Sequence, residues 1–124
     1  HLRIPIETAK VLIIGGGAIG ILSALILENI KKNSNSVLLE VNEKRLKVCE
    51  KNINSKVLKP ISSDLKINTF DLIIDAVGSK KTRETAIKFA RPGSVIVHAG
   101  LTSSDGDFDF VVLPEFHRHQ RRIG

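Results

Sequence analysis

Residues 11–20, Val-Leu-Ile-Ile-Gly-Gly-Gly-Ala-Ile-Gly, restrict the possible folds more than any other stretch of the chain. Four apolar residues running straight into glycines describe a buried strand ending in a tight turn, and the proline-free apolar stretch that follows describes a helix. Gly15, Gly17 and Gly20 thus stand between strand and helix at the spacing G-x-G-x-x-G. Each glycine has its own steric task. Gly15 permits the sharp turn, Gly17 lets a diphosphate approach bare backbone, and Gly20 lets the helix close against the strand. The N–H groups at the helix start, around Ala18 and Ile19, then face the anion.

A second apolar run, residues 37–41, carries Glu40 about twenty residues beyond Gly20, where an acid that binds a ribose diol is expected. An ordinary surface acid following a strand is the alternative. A P-loop is excluded, because Ile21 and Leu22 occupy the places where a lysine and a hydroxyl residue would have to reach phosphate and magnesium.

A chain of 124 residues makes one domain, with residues 1–113 as the folded part and 114–124 as a flexible basic tail. That length is short for an enzyme that must also hold a substrate, so an excised fragment is expected. With 42% hydrophobic and 26% charged residues the composition is that of a soluble globular protein. No apolar run reaches membrane-spanning length, and residues 11–14 are too short for a signal-peptide core. One cysteine allows no internal disulfide, which fits a cytoplasmic setting. The net charge of +6 raises the question of nucleic acid. The lysines are spread along the chain and aromatic residues are scarce, so no nucleic-acid partner is expected.

After the glycines, Ile19, Leu22, Ile26 and Ile30 recur at helical spacing, with Ile21, Ala24, Leu25 and Leu27 on other faces. A helix so apolar is expected to bury more than one side, part of it against another domain or subunit, and a homo-oligomer is one way to do so. Residues 37–41 form strand two. Asn42 caps a helix from Glu43 to about Ile53, with Leu46, Cys49 and Ile53 facing the core, so Cys49 reads as packing rather than as a reactive thiol. Residues 56–58 form strand three and residues 70–77 strand four. Residues 59–69 between them lack a helical period and read as a loop. A helix from near Lys80 buries Ala86, Phe89 and Ala90 and stops at Arg91-Pro92-Gly93, and residues 94–99 form strand five. His98 could reach the crevice, but strand alternation favours its facing a neighbouring helix. Residues 108–113 could form a sixth strand, and the pair His117 and His119 lacks a third metal ligand. This alternation predicts an α/β fold, a doubly wound, Rossmann-like parallel sheet in the order 3-2-1-4-5 with a possible sixth strand.

Taken together, residues 11–20, 40–46, 70–78 and 91–100 resemble the cofactor-binding domain of the zinc-containing medium-chain alcohol dehydrogenase family. The resemblance implies a parent enzyme that moves hydride between NAD and an alcohol or polyol, with catalytic zinc held by a separate domain. It places Gly15, Gly17, Ala18, Ile19 and Gly20 under the pyrophosphate, Glu40 on the adenosine ribose and Arg45 near the adenosine. It places Val77, Gly78, Gly100 and Leu101 along the crevice towards the nicotinamide. Plain turn chemistry is the alternative for Gly78 and Gly100. Glu40 would repel a 2′-phosphate, so NAD is expected over NADP.

Three departures from the family stand out. The zinc ligands are absent, a loop replaces the helix between strands three and four, and no catalytic segment returns after Leu113. The chain is therefore expected to bind cofactor without turning over substrate. Two rival readings remain. An S-adenosylmethionine-dependent methyltransferase fold also uses a glycine-rich turn and an acid after strand two, but usually wants an acid within strand one, where this chain has Ile13 and Ile14. An NAD-sensing regulatory domain is the other.

Overall fold

A run of four apolar residues without a polar face belongs where both sides of a sheet are covered. Strand β1 (Val11–Ile14) occupies that central position, with all four residues buried. The structure, a computed structural model, describes residues 4–60, 65–100 and 107–112. After β1 come α1 (Ala18–Asn29), β2 (Ser36–Leu39), α2 (Glu43–Asn52), β3 (Lys56–Leu58), β4 (Phe70–Asp75), α3 (Lys80–Phe89), β5 (Ala90–Gly100) and β6 (Asp107–Val112). They build one sheet in the order β3-β2-β1-β4-β5-β6. The first five strands are parallel, as the order 3-2-1-4-5 requires, and β6 runs antiparallel to β5.

Side chains of a strand alternate between faces, and here the alternation divides the core in two. Leu12, Ile14, Leu39, Ile73 and Ile96 pack on one side with Ala86 and Phe89 of α3. Val11, Ile13 and Leu38 pack on the other with Ala24 and Leu27 of α1, Cys49 of α2 and Ile53. The register sets Ile14 level with Leu39 and Asp75. Three strands therefore end on one line, and the turns that leave them, at Gly15, Glu40 and Ala76, open on the same edge.

The elements differ from expectation mainly at their ends. Strand β2 stops at Leu39 and β4 at Asp75, so Glu40, Val41 and Val77 lie in the turns beyond. Helix α2 ends at Asn52, and Ile53 is its buried C-cap. Ala90, expected in the helix, opens β5 instead. Phe70 pairs with Ala90 and Leu72 with Val95, and the extra residues between them bulge, with Gly93 at φ +83°. Arg91 in that bulge pairs with the buried Asp71, whose other oxygen accepts the Lys10 N–H at 2.8 Å. The sixth strand, expected over 108–113, begins one residue earlier, at Asp107, and is described to Val112.

Helix α1 turns a different face inward from the one its spacing suggested. Gly20, Ala24 and Leu27 are buried, whereas Leu22 and Ile30 are 57% and 68% exposed and Ile26 is exposed as well. Small residues win this competition because only they let the helix axis approach the strand closely.

Of residues 59–69, the described ones contain no helix, and 61–64 lie outside the described residues. Leu101, Leu113, the 114–124 segment and its His117 and His119 also lie outside them. Among the described residues no helix is long and apolar enough to cross a membrane.

Candidate functional site

The glycine-rich turn shows three steric constraints and one open place. Gly15 has φ +104°, a conformation that L side chains rarely adopt, and a Cβ there would come within 2.7 Å of Val77 Cγ2. A Cβ on Gly16 would meet Cys49 Sγ at 2.6 Å, a demand the three-glycine spacing did not reveal. A Cβ on Gly20 would lie 1.8 Å from the Gly15 carbonyl oxygen. Gly17 alone of the four has no atom within 4 Å of such a Cβ.

Gly17 is also the N-cap of α1 and offers it no side-chain hydrogen bond, and no acid stands in the first turn. The other two helices are capped from within. Asn42 Oδ1 accepts the Lys44 and Arg45 N–H groups at the start of α2, and Ser79 forms a reciprocal capping box with Thr82 at the start of α3. The positive end of α1 thus faces the open space at Gly17, a setting suited to an anion.

That space belongs to a cleft of about 760 Å³. It runs from Glu40, Val41 and Arg45 past Gly15 and Gly17 to Val77, Ser79 and Thr82, with Lys59 and Lys81 on its walls. The cleft lies at the carboxyl ends of the strands, where the chain order reverses between β1 and β4, the usual ligand position in an open α/β sheet. The cleft brings together Gly15, Gly17, Glu40, Arg45 and Val77 of the residues singled out from the sequence. Ala18 and Ile19 form the first turn of α1 behind Gly17, and Gly20 lies beneath the turn. Gly78 is buried at the base of the β4–α3 turn with φ +78°, and Gly100 ends β5 paired with Asp107.

Glu40 has a second duty that its spacing did not disclose. Its Oε1 accepts the Gly16 N–H at 2.6 Å and its Oε2 accepts the Asn42 N–H at 2.9 Å. With 4% of its surface exposed, the carboxylate clasps the glycine-rich turn while still contributing to the cleft wall. Further along the rim, the Lys59 ammonium pairs with Glu43 and holds that carboxyl below its ordinary value.

Cys49 packs under the same turn, its thiol 3.6 Å from the Gly16 carbonyl oxygen. Burial pushes its pKa up, and the negative charges of Glu40 and Glu50 push the same way. The thiolate is the reactive form, so Cys49 in the folded protein is expected to resist a neutral-pH thiol reagent and to react fully in denaturant. Rapid labelling of the native protein would contradict this packing.

His98 lies on the α3 face of the sheet, two residues beyond Ile96, and meets an acid there. Its Nδ1 lies 3.0 Å from Asp75 Oδ2 on the adjacent strand. Asp75 was not among the residues expected at the site, and its local signal is a carboxylate at the end of the apolar run Leu72–Ile73–Ile74.

No protein-family model matches this sequence, and no curated protein does. Solved structures do match in fold. A protein described as a zinc-binding dehydrogenase of Sinorhizobium meliloti 1021, bound to NADP, superposes at a TM-score of 0.69 with 17% identity over 94% of this chain. A protein described as a short chain alcohol dehydrogenase of Escherichia coli CFT073, complexed with NADH, matches at 0.69 and 23% over 83%. A protein described as a sarcosine dimethylglycine methyltransferase of Galdieria sulphuraria matches at 0.57 and 20% over 76%. The chain spans 36%, 32% and 40% of these proteins, respectively. It thus has the Rossmann-like doubly wound fold that dehydrogenases and methyltransferases share.

Proposed function

We propose that this chain is the NAD(H)-binding domain of an alcohol or polyol dehydrogenase whose substrate-binding part lies elsewhere in a longer protein. One juxtaposition carries the reading. The uncapped, sterically open start of α1 at Gly17 and the Glu40 carboxylate share one cleft at the switch point. A diphosphate over Gly17 would complete the helix end, and Glu40 keeps lone pairs on both oxygens for the hydroxyls of an unphosphorylated ribose. Bound NAD would supply the hydride carrier, while the chain's own residues bind and orient it.

The resemblance in residues 11–20, 40–46, 70–78 and 91–100 and the dehydrogenase neighbours support the oxidoreductase reading. Among the described residues no group of three His, Cys, Asp or Glu could hold a metal ion. These residues do not fit a zinc site. Calorimetric titration with NADH, NADPH and S-adenosylmethionine tests the proposal. NADH is expected to bind, and NADPH at least about tenfold more weakly. Binding of S-adenosylmethionine alone would overturn the dehydrogenase reading.

A further inference from the structure

Beneath the β4–α3 turn, one carboxylate gathers groups from the turn itself, the helix that follows and a neighbouring strand. Asp75, the last residue of β4, is fully buried. Its Oδ1 accepts the Val77 N–H at 3.1 Å and the Gly78 N–H at 2.9 Å. Its Oδ2 accepts the Thr82 hydroxyl of α3 at 3.1 Å and faces His98 Nδ1 of β5 at 3.0 Å. Thr82 Oγ1 in turn accepts the Ser79 N–H at 3.0 Å. An aspartate folding the next backbone turn on itself is common local chemistry. Here the carboxylate is also clamped from the far side, to the helix that follows the turn and to His98 on the neighbouring strand, 23 residues away. The clamped turn carries Val77, Ser79 and Thr82, which form one wall of the cleft, opposite Glu40 and Arg45.

We propose that the Asp75–His98 pair is a positioning device that sets the Val77–Gly78–Ser79 lip against the half of the dinucleotide remote from Glu40. This rests on the dinucleotide reading above. With the diphosphate over Gly17 and one ribose on Glu40, the other nucleoside extends towards β4, because among the described residues the cleft continues past Gly17 to Val77, Ser79 and Thr82. His98 acts through Asp75: its ring nitrogen fixes Oδ2, which leaves Oδ1 aimed at the two turn N–H groups. Without that partner Oδ2 is held by the Thr82 hydroxyl at 3.1 Å, the plane of the carboxylate is less firmly set, and the lip is less well registered.

ADP reaches only the Gly17 and Glu40 part of the cleft, whereas NADH also reaches the lip, so the full chain is titrated with both. His98→Leu is expected to raise the NADH Kd about tenfold and leave the ADP Kd within about twofold. His98→Asn, whose side-chain nitrogen can stand where Nδ1 stands, is expected to return NADH binding to within about threefold of wild type. Thr82→Val, a half-buried and nearly isosteric change, is expected to show the same split at about threefold, and it keeps the test intact should His98→Leu fold poorly. Equal weakening of both ligands, no weakening of NADH, or no rescue by His98→Asn overturns the proposal. Wild-type protein that binds ADP but gains nothing from the second nucleoside overturns it too. Wild-type protein that binds neither ligand overturns the dinucleotide reading itself.

Discussion

Gly20→Ala is expected to destabilise the protein by about 3 kcal/mol or more, the range of severe overpacking. The added methyl would sit 1.8 Å from the Gly15 carbonyl oxygen and 2.9 Å from its carbonyl carbon. Both are backbone atoms, so no rotamer change relieves the clash, and α1 must lift from β1 with the burial of Ala24 and Leu27. Gly17→Ala should do the reverse. Its φ of −78° suits any L residue and its Cβ meets nothing, so stability should change by within about 1 kcal/mol, the scale of an N-cap substitution. The methyl would nonetheless occupy the place proposed for the diphosphate, and NADH binding should fall at least about tenfold. Denaturant midpoints and NADH titrations of the two variants measure these effects. A Gly17→Ala protein that binds as well as wild type would remove the diphosphate from this turn.

Glu40 should produce the second large effect, in two separable parts. Glu40→Ala removes the acceptor of the Gly16 and Asn42 N–H groups and is expected to cost about 1–3 kcal/mol of stability. Glu40→Gln keeps an oxygen for Gly16 and should recover much of that loss. The charge has a separate consequence for the cofactor. Two unit charges about 4 Å apart repel by about 4 kcal/mol at an effective dielectric near 20. Solvent and salt reduce this, yet a third of it is still about tenfold in affinity. Wild-type protein should therefore prefer NADH to NADPH by at least about tenfold, and Glu40→Gln should bring the two within about threefold, with Arg45 on the same wall. A Glu40→Gln protein that still strongly prefers NADH would show that another group selects the cofactor.

The readable parts of the fold were those governed by local sterics. A tight turn between an apolar run and a helix admits few residues other than glycine, so the places of Gly15 and Gly20 follow from the residue pattern alone. Asn42 is legible as a cap because its side chain acts on backbone only two and three residues ahead. Helix α1 could not be oriented from its sequence. Nearly every position is apolar, so no face is favoured by hydrophobicity, and close packing selected Gly20 and Ala24 over Leu22, Ile26 and Ile30. The strand ends were misplaced for a similar reason. Val41 and Val77 are strand-forming residues, but buried carboxylates take the backbone beyond the strand ends: Glu40 Oε2 accepts the Asn42 N–H, and Asp75 Oδ1 accepts those of Val77 and Gly78.

On its own, the sequence determined the succession of strands and helices, the steric demands at the glycine turn, and the presence of an acid one strand over. These depend on a residue's own backbone and its near neighbours. Tertiary structure decided that the same acid clasps Gly16, that Cys49 fills the space beneath it, and that Asp75 meets His98. Each of those pairings joins residues more than twenty positions apart. Strand register and helix docking bring such residues together, and no local pattern encodes either of them.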